Sequence, residues 1–155
     1  MARPTVASEA KTDAVDDLLD PLPVGAWRFS GHIGERLDRV AHARLATQKA
    51  WDELYPQTEE AFRIREDDRS HPNKGVWRGE FWGKYILGVI GACRYYDDPA
   101  IRDRIQEGVA GLLSTQDANG YIGTYSDSRY YEPGTWNIWC RKYTLWGLLE
   151  AWKLL

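Results

Sequence analysis

Two cysteines, three histidines, three phenylalanines and a single methionine are all that the 155-residue chain holds of those types. Cysteines 47 positions apart, Cys93 and Cys140, are no disulfide framework, and they leave the redox compartment open. Histidine is too sparse for a metal cluster. His32 and His42 lie ten residues apart, about 80° off a common helical face at 100° per residue, and His71 stands alone. No HExxH and no CxxC occurs, so this chain's own residues spell no zinc site. A basic surplus is missing too. Lys plus Arg total 20 against 23 Asp plus Glu, a net charge of -3, with a pI near 5.6. That balance gives no grip on nucleic acid or on an anionic membrane surface. No apolar run approaches the roughly 20 residues that span a bilayer. The opening MARPTVASEAKTDAVDD has one early Arg but no apolar leader segment, a reading that points to the cytoplasm. Nucleotide signatures are absent: Gly31-His32-Ile33-Gly34 lacks a third glycine and a preceding strand, and no Walker pattern occurs. No serine sits in an elbow-like context.

What is present is ordinary in bulk and unusual in its rings. With 43% hydrophobic and 28% charged residues, the chain has the composition of one globular domain. Eight Trp and nine Tyr stand against the three Phe, so nearly every ring carries a polar handle. Such rings suit sugars, whose C–H faces stack on aromatic surfaces, but helical cores are also built around Trp.

Residues 1–20 are polar and aperiodic and read as a loosely ordered lead-in to a domain over 21–155. After Gly31, the residues Ile33, Leu37, Val40, Ala41 and Leu45 form one helical stripe, which Pro56 is expected to break before a short helical turn. The stretch Arg63 to Asn73 is charge-rich and reads as a loop. A second helix is expected from Gly79 to Tyr96, with Phe81, Trp82, Tyr85, Ile86, Val89, Ile90 and Cys93 on a wide buried stripe. Asp98 can cap the next helix and Pro99 can open it, with Ile101, Ile105, Val109, Leu112 and Leu113 facing one way to about Gln116. Asn119-Gly120 marks a turn. Tyr121 to Thr135 has no period beyond a few extended residues near Tyr121 to Tyr125. A last helix starts near Asn137 and reaches Leu155. The fold class is all-α, in antiparallel helical hairpins. Trp82, Ile86, Val89, Ile90, Ile105, Val109 and Leu112 are expected to make one core. The last helix is apolar on more than one face and calls for partners on two sides, from further chain or from self-association through this helix.

Three segments are rich in polar aromatics: Trp77-Arg78-Gly79-Glu80-Phe81-Trp82-Gly83-Lys84, Gln116 to Tyr125, and Trp136 to Tyr143. In up-down pairing they meet at one end of the bundle, where Glu80, Lys84, Gln116, Asp117, Arg141 and Lys142 join several rings. Convergent polar groups in an aromatic wall are what a small-molecule or sugar site looks like. The candidate contacts to a carbohydrate are Trp77, Glu80, Trp82, Gln116, Asp117, Tyr121, Trp136, Trp139, Arg141 and Lys142. Taken singly, Glu80 also suits a helix N-terminus and Asp117 with Asn119 suits a turn. Glu80 is the one rim carboxylate to consider as an acid, against the pull of a helix N-terminus toward the charged form. Cys93 reads as a core thiol; Cys140, at a helix start beside Arg141, has surroundings that lower a thiol's pKa, but a structural role is the favoured reading for it too.

With these segments goes Gly31-His32-Ile33-Gly34-Glu35-Arg36-Leu37-Asp38, and the third extends through Thr144-Leu145-Trp146-Gly147-Leu148-Leu149. In this order the four resemble the N-terminal part of the β-L-arabinofuranosidase-type glycoside hydrolases, family 127 and its relatives, over Pro21 to Leu155. The resemblance implies an (α/α)6 toroid with a sugar pocket at one mouth, and a zinc-held cysteine nucleophile in the full-length family. Neither Cys93 nor Cys140 sits in a matching context, so no catalytic or metal-binding residue is carried over. Some relatives have His-Glu-Leu-Tyr near Cys140-Arg141-Lys142-Tyr143, where only the tyrosine matches. Twelve helices of about 12 residues with connections of about 5 need roughly 200 residues or more. The expectation is therefore an N-terminal piece supplying one wall of the pocket. The alternatives are a non-catalytic sugar- or partner-binding helical module, and another sugar-active toroid such as an unsaturated-uronide hydrolase.

Overall fold

A computed structural model describes residues 22–65, 78–126 and 136–155. Among them the chain is helical, with α1 at Gly31–Val40, a π-helical turn at Ala41–Leu45, α2 at Gln48–Glu53, α3 at Tyr55–Ile64, α4 at Gly79–Tyr96, α5 at Pro99–Leu113 and α6 at Asn137–Leu154. No strand occurs among the described residues, Tyr121 to Tyr125 included. No described helix is long and apolar enough to cross a membrane.

The α4–α5 hairpin follows from its turn chemistry. Asp97 ends α4 in the left-handed region at φ 52°. The Asp98 carboxylate then accepts the Ala100 N–H at 2.9 Å, and Pro99 opens α5 where a missing N–H costs nothing. Helix α6 runs parallel to α4 and packs on it through a stripe of small residues: Cys140, Thr144, Gly147 and Ala151 are buried. A Cβ on Gly147 would lie 2.8 Å from Ile86 and 2.9 Å from Trp82, so glycine is what lets these backbones approach. Arg94 of α4 pairs with Glu150 of α6 at 2.7 Å and fixes the register further along.

The core expected between α4 and α5 is present. Trp82, Ile86, Val89, Ile90, Ile105 and Leu112 are buried, and Val109 packs half-buried against them. Trp51, Tyr55 and Phe62 of α2 and α3 close this core from the other side. Trp51 stacks flat on Tyr55, with ring centres 4.2 Å apart.

The N-terminal third departs from expectation. The single stripe after Gly31 is cut at Val40 by the π turn, and Ile33 and Val40 are exposed. Tertiary donors hold the irregular carbonyls: the Tyr85 hydroxyl donates to Leu45 O at 2.8 Å and Arg104 donates to Ala46 O. Pro56 does not break a helix; it sits in the first turn of α3, which then runs ten residues. On α6 the breadth of apolar character is as read. Ile138, Leu145, Trp146, Leu149 and Trp152 are exposed on the side facing away from the small-residue stripe. The lead-in 1–20, Trp77 and most of the expected loop after Arg63 lie outside the described residues.

Candidate functional site

The parallel packing of α4 and α6 brings their N-termini side by side. Gly79, the first residue of α4, is buried, and a Cβ there would lie 2.6 Å from the Thr124 hydroxyl and 3.1 Å from Cys140 Cβ. Glycine thus lets the segment before α6, the start of α4 and the start of α6 converge. The buried Tyr125 hydroxyl accepts the Trp136 N–H at 3.1 Å and pins the lead into α6.

On this support Glu80, Lys84, Trp136 and Trp139 line a cavity of about 540 Å³. The Trp139 indole N–H and the Lys84 ammonium, the latter at 2.9 Å, both reach Oε2 of Glu80. Oε1 has no partner among the described residues. Trp136 and Trp139 meet edge to face with centres 6.2 Å apart, and Trp139 meets Tyr143 in the same way at 5.3 Å. The Lys142 ammonium lies 3.6 Å from the Trp139 ring centre and 4.1 Å from that of Tyr143. Cation–π attraction of this kind holds a lysine head in place without a carboxylate.

The remaining expected residues fall into a second group beside this one. Gln116 donates to Gly120 O at 3.0 Å, Asn119 accepts the Tyr121 N–H at 2.9 Å, and the Asp117 N–H donates to Tyr121 O at 3.0 Å. Gly120 takes φ +90°, which explains glycine at the turn. The Asp117 carboxylate pairs with Arg65. Two guanidinium groups lie over the Tyr121 ring, Arg65 at 5.5 Å and Arg141 at 5.1 Å. Burial pushes the Tyr121 phenol up, while the Tyr125 N–H and the two arginines pull it back. Arg141 itself donates to Asn137 Oδ1 at 3.1 Å. A cavity of about 840 Å³ opens here, lined by Tyr121, Arg141 and Lys142 among others.

Trp82 belongs to neither group: it is fully buried in the α4–α6 core behind them. Trp77 lies outside the described residues. Arg65 was not legible in the sequence: it ends α3 in the left-handed region at φ 47°, amid a charge-rich stretch with nothing to single it out. Tyr143 had a signal, the i, i+4 spacing from Trp139.

Cys140 takes the structural role favoured for it: it is buried, and burial outweighs the helix N-terminus and the nearby cations, so the thiol is pushed up to about 11. Cys93 is a core thiol, also raised by burial. Among the described residues no three His, Cys, Asp or Glu side chains converge. These residues therefore do not fit the zinc–cysteine centre that the resemblance implies.

A family model described as beta-L-arabinofuranosidase, GH127 catalytic domain, matches residues 33–154. The chain belongs to this family. Comparison with curated proteins and with solved structures gave no match. The matched span of the GH127 domain runs from α1 to the end of α6 and takes in both groups at the α4–α6 end. The chain is thus of glycoside hydrolase type, and its all-α architecture agrees with that family.

Proposed function

We propose that the α4–α6 end is a sugar-binding wall of an arabinofuranosidase-type glycoside hydrolase, with Glu80 as its polar anchor. The observation that carries this reading is the Glu80 carboxylate set between Lys84 and the Trp139 N–H at the mouth of an aromatic cavity. Among the described residues both donors use Oε2, which leaves Oε1 to accept from a sugar hydroxyl. Trp136 and Trp139 offer ring faces to the C–H side of a furanose, and contacts with Lys142 and Tyr143 hold Trp139 in place.

Bond cleavage asks for more than this wall holds. A retaining hydrolase places an acid and a nucleophile about 5 Å apart when both are carboxylates. Among the described residues, Glu80 shares its cavity with Lys84, Trp136 and Trp139 and with no second carboxylate. A protonated, buried Cys140 is no nucleophile at neutral pH, since the thiolate is the reactive form. In this reading the described residues position substrate and do not carry the chemistry.

Calorimetric titration with neutral arabino-oligosaccharides tests it. Sub-millimolar binding is expected, weakened about tenfold by Trp139→Ala, the loss of roughly 1.4 kcal/mol of stacking. Glu80→Gln should also weaken it. No 4-nitrophenol is expected from an aryl β-L-arabinofuranoside, with or without zinc. Binding indifferent to both variants would overturn the site, and turnover abolished by Cys140→Ser would overturn the division between binding and chemistry.

A further inference from the structure

We infer that the wall selects a glycan unit carrying an anionic substituent, and that the Lys142 ammonium is the group that recognises it; this rests on the sugar-binding reading above. Among the described residues at this end of the fold, the acids are paired with cations. Glu80 is held by Lys84 at 2.9 Å, and Asp117 is paired with Arg65. Lys142 differs. Its side chain is exposed, and its contacts are the ring faces of Trp139 and Tyr143, with no carboxylate among the described residues.

Its placement gives the charge a use. Lys142 touches Trp139, which lines the smaller cavity with Glu80, and itself lines the larger cavity of about 840 Å³. Among the described residues, the charged ones lining that larger space are Arg141 and Lys142, both cationic; Asn119, Tyr121 and Thr144 add polar groups over an apolar floor. A sugar unit stacked on Trp139 has its next unit within reach of Lys142. A carboxylate or sulfate there would receive a charge-assisted hydrogen bond from an ammonium already oriented by two rings. A neutral unit would leave it unanswered. The same chemistry serves a uronate and a sulfated sugar, and the experiment separates them.

Trp fluorescence titrations would use three oligosaccharides of equal length: a neutral arabino-oligosaccharide, one bearing a uronate, and one O-sulfated. The chain is expected to bind at least one anionic ligand about five- to tenfold more tightly than the neutral one at low salt. Raising ionic strength should shrink that ratio, as screening requires. Lys142→Gln should bring the ratio to about one, while Lys142→Arg should keep it. The anionic arm that shows the preference names the substituent. Equal binding of all three by the unmodified chain would overturn the charge selection and leave the sugar site standing. Binding of none would overturn both. A preference that survives Lys142→Gln would overturn the assignment to Lys142.

Discussion

Replacing Gly83 with alanine probes the packing on which the site depends. The methyl group would lie 2.9 Å from Tyr143 Cβ, and closer still to that residue's carbonyl. A backbone carbonyl cannot rotate away as a side-chain end can, so α4 and α6 must part by about 1 Å in a close-packed interior. Overpacking costs about 1–3 kcal/mol, and the parting also strips contacts from Trp82 and Ile86, both fully buried. Against this stands a gain of about 1 kcal/mol from replacing glycine in a helix. The expected net loss is about 1–2 kcal/mol, or roughly 2–8 °C in Tm for a chain of this length. Gly91 on the same helix is the control, because a Cβ there meets nothing within 4 Å. Gly91→Ala should raise Tm by about 2 °C through the same helix preference. Thermal unfolding followed by far-ultraviolet circular dichroism reads both. A Gly83→Ala variant that melts at or above the unmodified chain would refute the close α4–α6 contact, and with it the support of the site.

Three further outcomes follow from the same physics. Ile90→Asp places a charge among fully buried apolar side chains and should abolish the cooperative melting transition; an unchanged curve would contradict the core assignment. Asp98→Ala removes the cap of α5 and should cost about 1 kcal/mol in urea unfolding, while Asp98→Asn should cost less. Cys140 has its folded pKa raised to about 11 by burial, so its contribution to stability is intact below the pKa of an unfolded thiol, about 8.5, and is lost as pH rises through 11. Cys140→Ser should flatten that alkaline loss, measured as denaturation midpoints between pH 8 and 11.

The legible parts of the fold were those where local chemistry and burial agree. Helix α4 has its expected bounds, Gly79 to Tyr96, because its apolar stripe is wide and Asp97-Asp98-Pro99 supplies both a stop and a cap. The region after Gly31 misled because Leu37, Ala41 and Leu45 do turn inward, while tertiary bonds from Tyr85 and Arg104 favour a π turn that no period encodes. Pro56 was read as a break, but proline is equally at home in a first turn. Within the site, Glu80, Trp136 and Trp139 come together because two helix starts do. Trp82, three residues before Tyr85, sits on the buried stripe of the same helix, and a tryptophan's polar handle does not reveal which side of a wall it occupies. Arg65 and Asp117 meet across 52 residues, a pairing that spacing along the chain cannot disclose.

The central claim is that sugar contacts Trp139 beside Glu80, and the indole N–H resonances of the eight tryptophans report on it one by one. In a ¹H–¹⁵N correlation spectrum titrated with arabino-oligosaccharide, the Trp139 signal should move most, because its N–H is bonded to the carboxylate that the sugar engages. Trp136 should follow, and the buried Trp51 and Trp82 should stay in place. Movement confined to Trp27 or Trp152, or no movement at ligand concentrations of several millimolar, would contradict the account.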